Sequence, residues 1–403
     1  MRISYLLLNA FRLSGSVRSV LNQAEAMADA GHDVEIISAV RDGDRMFFPP
    51  PRRVRLTSLV DTRVADPDDA PGVLVPRAEG QYRVFTRRVE DAVVSYLRSA
   101  RDGILVSTKP GLNVLVARYG SAPIVRVGQE HRSLAQRTPE MREVIAREYR
   151  RLDAVVTLTD ADRREYAAAL APDGSAAGVA APVVVAVPNG LHRACDGRGL
   201  RLRRRAPVVV SAGRLSHQKG FDLLVRAYRA VAREHPRWQL RIYGRGRQEE
   251  RLRERVRRYG LAERARLMGA TDRLDRCLAT ASLFVLSSRS EGFSMVLLEA
   301  MASGLPVVAF DCPHGPGEII RSPREGLLVP PGDVRGLSAG ICRMIADPAL
   351  RREMGAAARA RAADFLPERI APMWERLFTD LQTRQAAGPA GVPARWGGTR
   401  SGR

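Results

Sequence analysis

Ser287-Ser288-Arg289-Ser290-Glu291-Gly292-Phe293-Ser294-Met295-Val296-Leu297-Leu298-Glu299-Ala300-Met301-Ala302-Ser303-Gly304-Leu305-Pro306 is the stretch whose reading decides the fold. The apolar run just before it, Leu283 to Leu286, predicts a short buried strand, and the stretch leads through a polar turn into an apolar helical segment. Strand feeding helix is the unit of a parallel α/β sheet, whose ligands lie in the crevice at the carboxyl ends of the strands. Glu291 falls in the turn, and Glu299 falls on the helix among Val296, Leu297, Leu298 and Met301. A carboxylate on so apolar a segment is costly to bury unpaired, so Glu299 must reach water, meet an arginine or bind a ligand's hydroxyls.

The same alternation runs outward in both directions. Upstream it begins with a strand over 3–8, a turn Ser14-Gly15-Ser16-Val17, a helix from about 17 to 30 and a strand over 34–38. Residues 42–51 and 61–76 read as loops, and 81–98 as an amphipathic helix with Val84, Val89, Val93, Val94 and Leu97 inward. Strands at 104–107, 124–127, 154–158 and 183–187 and helices at 139–151 and 160–170 follow, with a small-residue, flexible stretch at 171–181. The strand at 124–127 runs out into Gly128-Gln129-Glu130-His131. Periodicity then lapses over 191–206 and restarts with a strand at 207–212, a turn over 213–220 and a helix over 221–234. Strands at 240–243, 266–268, 307–310 and 327–329 alternate with helices at 248–259, 274–281, 334–345 and 348–365. A last amphipathic helix over 367–381 places Ile370, Met373, Trp374, Leu377 and Phe378 on one side. The expected organisation is an α/β domain over 1–190, a linker over 191–206, a second α/β domain over 207–366, a helix over 367–384 and a disordered tail over 385–403.

Composition narrows the function classes. The 403 residues are 45% hydrophobic with a formal net charge of +21, so the chain is globular and strongly basic. Lys109 and Lys219 are its two lysines, the other basic residues being arginine. A basic surface favours anionic partners, such as nucleotides or an anionic membrane in peripheral contact. The arginine clusters lack aromatic interleaving, which sets nucleic acid aside as a partner. Cys195, Cys277, Cys312 and Cys342 show no CxxC spacing, so neither a zinc site nor a disulfide framework is expected. The N-terminal apolar run lacks a signal peptide's length and cleavage site, and no run approaches the ~18 apolar residues of a membrane span. The expected compartment is the cytoplasm.

Candidate binding residues gather at strand ends. Gly213 lets backbone come close to a ligand, and Arg214 with Lys219 brings two cations to one turn, as a diphosphate requires. Gly292-Phe293-Ser294 opens a helix whose free N–H groups suit phosphate. Glu299 suits a ribose diol and Glu291 the hydroxyls beyond the phosphates. Together they describe a nucleotide diphosphate carrying a polyhydroxylated group. His131, just past a strand end, reads equally as a crevice residue and as a turn histidine bonded to backbone.

Gly213-Arg214 with Lys219, Gly244-Arg245-Gly246, and Ser290-Glu291-Gly292-Phe293 through Glu299 to Gly304-Leu305-Pro306-Val307-Val308 resemble the retaining glycosyltransferases of family 4 over about residues 3–382. The resemblance implies a GT-B fold: two Rossmann-like domains facing across a cleft, nucleotide sugar on the second, acceptor on the first, and a final helix with Trp374 returning to the first. It implies that Arg214 and Lys219 hold the diphosphate, Glu299 the ribose and Glu291 the sugar. Phe293, Ser294 and Met295 would offer backbone to phosphate or sugar, with Gly244 beside the donor. Gly15 would lie near the phosphate from the other side, although many relatives carry two glycines there. His131 would lie near the reacting centre. The implied donor is a UDP- or GDP-type sugar, and the acceptor a hydroxyl of an envelope glycan, glycolipid or polyol-phosphate polymer. No cofactor and no metal are expected, since no Asp-x-Asp motif stands in a matching place. A nucleotide-sugar epimerase on a similar fold and a polyanion-binding protein are the alternatives.

Overall fold

A computed structural model describes residues 1–64, 66, 69–171, 181–192, 205–321 and 323–387. Its first half contains strands β1 (Arg2–Asn9), β2 (Asp33–Arg41), β3 (Arg55–Asp61), β4 (Ile104–Ser107), β5 (Val125–Gln129), β6 (Ala154–Thr157) and β7 (Val183–Ala186). Helices α1 (Gly15–Asp29), α2 (Arg87–Ser99), α3 (Pro110–Tyr119), α4 (Pro139–Glu148) and α5 (Asp160–Ala169) connect them. The second half contains β8 (Val208–Ala212), β9 (Gln239–Tyr243), β10 (Ala265–Gly269), β11 (Leu283–Leu286), β12 (Val307–Phe310) and β13 (Gly326–Val329). Its helices are α6 (Phe221–Glu234), α7 (Glu249–Arg258), α8 (Leu274–Thr280), α9 (Met295–Ala302), α10 (Pro316–Ile319), α11 (Val334–Ala346) and α12 (Pro348–Ala362), and α13 (Pro367–Ala387) closes the described chain.

All strand pairs are parallel, in the orders β3-β2-β1-β4-β5-β6-β7 and β10-β9-β8-β11-β12-β13. Parallel sheets are covered by helices on both faces, so their strands are apolar throughout. Accordingly β4, β6, β11 and β12 are buried at every position. Each sheet reverses its strand order once, between β1 and β4 and between β8 and β11. A crevice opens at such a reversal, because the flanking connections leave to opposite faces. These are the two Rossmann-like domains of the GT-B architecture.

Helix α13 leaves the second domain and packs on the first. Ile370, Trp374, Leu377, Phe378 and Leu381 share a core with Val20, Ala24 and Met27 of α1. His32 Nε2 lies 3.0 Å from Glu375 Oε1 and ties the same helix down. Where the chain passes between domains, Leu191 N–H donates to Phe365 O at 2.8 Å. Of the expected flexible stretch, linker and tail, residues 172–180, 193–204 and 388–403 lie outside the described residues.

Three elements differ from expectation: strand β3 and helix α3 were not expected, and the helix expected over 81–98 is shorter. The helix expected over 81–98 starts only at Arg87, because Thr86 caps it and Phe85 O accepts from Gly72 N–H at 3.0 Å, holding that backbone extended. Val84, expected inward on that helix, lies in a separate 3₁₀ turn, Tyr82–Val84. Within the expected loop over 61–76, the carboxylate of buried Glu90 accepts from the N–H groups of Val73, Leu74 and Val75 at 2.7–3.0 Å. Among the described residues no helix is long and apolar enough to cross a membrane.

Trp374 is 2% exposed in a core that belongs to the other domain's sheet. Trp374→Ala is expected to destabilise the first domain by about 3–5 kcal/mol. Chemical denaturation followed by circular dichroism would show it as a lower midpoint. An unchanged midpoint would mean that α13 contributes no core.

Candidate active site

The loops after β8 and β11, at the second domain's reversal point, build the centre of the site. They are stitched together by backbone. Gly220 has φ 62, and a Cβ there would lie 1.9 Å from Ser287 O, so only glycine permits the approach. Ser287 Oγ donates to Lys219 O at 3.1 Å, and Arg289 N–H donates to Gln218 O at 2.8 Å. Arg289 also grips Asp222, with Nη1 and Nη2 at 2.8 and 2.7 Å from the carboxylate. The result brings Lys219 Nζ to 2.7 and 2.8 Å from the two oxygens of Glu291. Ser288 Oγ donates to the same carboxylate at 2.5 Å, so the buried Glu291 is fully engaged.

Gly213 and Gly244 serve each other. A Cβ on Gly244, at φ 144, would lie 1.9 Å from Gly213 O, and Gly213 N–H donates to Tyr243 O at 2.9 Å. This close approach sets the turn from which Arg214 projects. Arg214 is exposed, and no side-chain partner holds it among the described residues. Ser294 is the N-cap of α9, but its Oγ is buried without a partner, and no side chain caps the helix. The first-turn N–H groups beside Phe293 and Met295 therefore remain available to an anion. Phe293 is held by the Phe365 ring at 5.9 Å between centroids.

Glu299 lies in the next turn of α9, and its carboxylate has no hydrogen-bond or ion-pair partner among the described residues. Burial pushes it up to about 7, against the pull of Arg18 from α1 and with Asp275 adding to the rise. The shift favours its neutral form well above the usual carboxylate range.

The first domain closes over this arrangement. Gln136 Nε2 donates to Glu291 O at 3.0 Å. A Cβ on Gly292 would lie 2.5 Å from His131 O, so the Glu291 turn presses on the end of β5. His131 Nε2 is buried without a partner. Burial first, then the charges of Lys109 and Arg137, push its imidazole down to about 3. These influences favour the neutral imidazole over the cation at physiological pH. Gly15, the first residue of α1, has open space where a side chain would be, which leaves room at the end of β1.

The sequence reading missed the cations of the first domain. Lys109 lies just past β4 at the first reversal point, as the N-cap residue of α3, and is half-buried. Burial lowers its pKa; Glu79 opposes this, and Arg137, Arg214 and Arg132 reinforce it. Arg137 is itself paired with Glu130, and Arg132 has a long contact of 3.4 Å to Gln136 Oε1. The signal for Lys109 was present: it shares with Lys219 the distinction of being a lysine in an arginine chain.

Residues 198–361 match the family described as glycosyl transferases group 1. Among similar proteins is an exopolysaccharide phosphotransferase of Streptomyces coelicolor, 32% identical over 406 residues, an alignment spanning 96% of this chain and 41% of that protein. Another, an uncharacterized glycosyltransferase of Haemophilus influenzae, is 23% identical over 94% of this chain and 99% of its own length. Staphylococcus aureus TarM, solved with fondaparinux, α-GlcNAc-glycerol and UDP, superposes with a TM-score of 0.76 at 15% identity, over 94% of this chain and 99% of that one. This likeness establishes the fold. The family match and the named relatives support a glycosyltransferase.

Glu299 supplies a test of the site's electrostatics. A carboxyl raised from 4.5 to about 7 binds its proton more tightly folded than unfolded. Its contribution is therefore full below about pH 4.5 and is lost as pH rises through 7. Glu299→Gln is expected to be more stable than the wild type by about 1–3 kcal/mol at pH 8, the gap closing below pH ~5. Urea unfolding across that range measures it, and a pH-independent difference would contradict the buried, unpaired carboxylate.

Proposed function

We propose that the cleft is the active site of a retaining, metal-independent glycosyltransferase that moves a sugar from a nucleotide-diphosphate sugar to a hydroxyl of an envelope polymer. The observation that carries the reading is the convergence at the β8–β11 reversal of an unpaired Arg214, the Lys219–Glu291 pair, an uncapped helix N-terminus and an unpaired Glu299. No simpler ligand uses all four. Arg214, Lys219 and the α9 amides take the diphosphate, and Glu299 takes the ribose diol. Lys219 turns toward phosphate and leaves Glu291 to the sugar hydroxyls. Arg18, already felt by Glu299, lies across the cleft from it.

The catalytic term follows from charge. As the glycosidic bond breaks, negative charge grows on the leaving diphosphate, and preplaced cations with helix N–H groups stabilise it without reorganising. Lys109 and Arg132 add positive potential from the first domain, which is why this reading needs no metal. The leaving phosphate accepts the acceptor's proton, the incoming oxygen bonds to the anomeric carbon from the face the diphosphate leaves, and configuration is retained. Neutral His131 bonds a sugar hydroxyl. Bound UDP and α-GlcNAc-glycerol in TarM, and the exopolysaccharide relative, support a nucleotide donor and an envelope-polymer acceptor. The Streptomyces coelicolor relative is more than twice as long as the aligned part, so its own activity does not transfer with the likeness. The charge of +21 supports a cytoplasmic protein in peripheral contact with an anionic membrane.

UDP, GDP and ADP should be compared by thermal shift. One of them is expected to stabilise the wild type, by about 2.7 kcal/mol at a hundred times its Kd. The same nucleotide should give little shift with Glu299→Ala, read as the ligand-induced change because the substitution alters the baseline. Lys219→Ala should lower transfer by about 10²–10³-fold. A wild type that none of the three stabilises would refute the donor site.

A further inference from the structure

The segment from the end of β12 into α10 lies outside the residues given roles so far, yet its polar side chains reach into the other domain. His314 Nδ1 lies 3.0 Å from Asp162 Oδ1, within ion-pair reach but not aligned as a hydrogen bond, and His314 Nε2 lies 3.2 Å from Glu165 Oε1, both carboxylates belonging to α5. Four residues on, Glu318 accepts from the first free N–H groups of α5, Asp160 N at 2.9 Å and Ala161 N at 3.0 Å. A carboxylate from one domain thus occupies the N-terminus of a helix in the other, where the helix dipole favours it.

Both ends of this contact are held rigidly. Thr159 Oγ1 donates to Asp162 Oδ2 at 3.0 Å, which fixes the carboxylate and leaves Oδ1 toward His314. On the other side Arg361 of α12 donates to Glu318 O and Ile319 O, each at 3.1 Å. His314 has φ 65, a left-handed conformation that no other described non-glycine residue adopts. Such a backbone persists only where its surroundings determine it.

The same loop touches the donor site. A Cβ on Gly315 would lie 2.9 Å from Glu291 Cβ, so the backbone beside His314 abuts Glu291. Glu291 is contacted from the first domain as well, through Gln136 at its carbonyl. Separation of the domains would free His314 and Glu318 and take Gln136 away from Glu291 at once, leaving the Gly315 contact within the second domain.

We infer that the loop from Asp311 to Glu318 is an interdomain clasp, and that His314 and Glu318 are positioning residues that set Glu291 when the cleft closes. The role of Glu291 rests on the proposed glycosyl transfer; the clasp itself does not.

The test is hydrogen–deuterium exchange on the full, ligand-free chain, comparing wild type with the double variant H314N/E318A. Asparagine accepts the left-handed backbone but cannot span two carboxylates. Exchange is expected to quicken on the order of tenfold in residues 158–166, and also in 129–137 and 287–296, as the closed state is lost. Acceleration confined to 158–166 would reduce the contact to a local helix cap and overturn the proposal, as would no change. If the double variant does not fold, Glu165→Gln is expected to quicken the same three segments to a smaller degree, and no change there overturns the proposal equally. With a nucleotide that stabilises the wild type, the double variant should retain its thermal shift while transfer kcat falls about tenfold. Equal loss of nucleotide binding and kcat would overturn the positioning role. A wild type that binds no nucleotide would remove the proposed function and leave the clasp to be decided by exchange.

Discussion

The ion pair between Lys219 and Glu291 is the interaction on which the second domain's cleft depends. Glu291 is 3% exposed, and its carboxylate is bonded by Lys219 and Ser288. Removing one partner of such a pair strands the other at a cost of about 3–5 kcal/mol, yet an apolar pair of similar volume is often no less stable. The pair therefore needs a reason other than stability. The chain invests in its placement: Gly220 at φ 62 against Ser287 O, Ser287 Oγ on Lys219 O, and Arg289 on Asp222. Each of these joins the β8 turn to the β11 turn. They hold a cation and a carboxylate at the point where the sheet's topology leaves a crevice.

Around the pair, the ligand-free site is electrostatically unbalanced in two opposite ways. Glu299 is a half-buried carboxyl without a partner, driven toward its neutral form. Lys109 is driven the same way from the other sign, by burial first and by the like charges of Arg137, Arg214 and Arg132 against the pull of Glu79. A sequence selected for stability alone would pair these groups or replace them. These two mismatches are what the proposed donor, a nucleotide diphosphate with phosphates toward the cations and ribose toward Glu299, would relieve.

Much of this was legible in the sequence, for reasons that also explain what was not. Turns between a strand and a helix carry short-range signals, so Gly213, Arg214, Lys219, Glu291 and Glu299 were located within their elements. Helix α3 was missed because eight of its ten residues are buried, leaving no polar face to mark a period. Strand β3 was missed for the opposite reason: an edge strand with one buried position, Val60, lacks an apolar run. The 81–98 helix was extended too far because Phe85 O is claimed by Gly72, thirteen positions away, which no local pattern shows. Lys109, Gln136 and His314 act through partners in another part of the chain, and their own neighbours in sequence say nothing of those partners.

The contacts that escaped the sequence divide into two kinds, and the division describes how the molecule moves. At one end the domains are joined by apolar burial: Trp374 and Phe378 in the first core, and Leu191 packed in the second with its N–H on Phe365. At the cleft they meet through separate polar contacts, Gln136 on Glu291, His314 on Asp162 and Glu165, and Glu318 on the first turn of α5. Each polar contact exchanges a bond to water for a bond to protein and so contributes about 0.5–1.5 kcal/mol. Buried aromatic contacts contribute several times more. The apolar end therefore stays joined under conditions where the polar end opens. That asymmetry makes a hinge and a jaw, and a polar jaw can admit a large donor, exclude water while closed, and release its products.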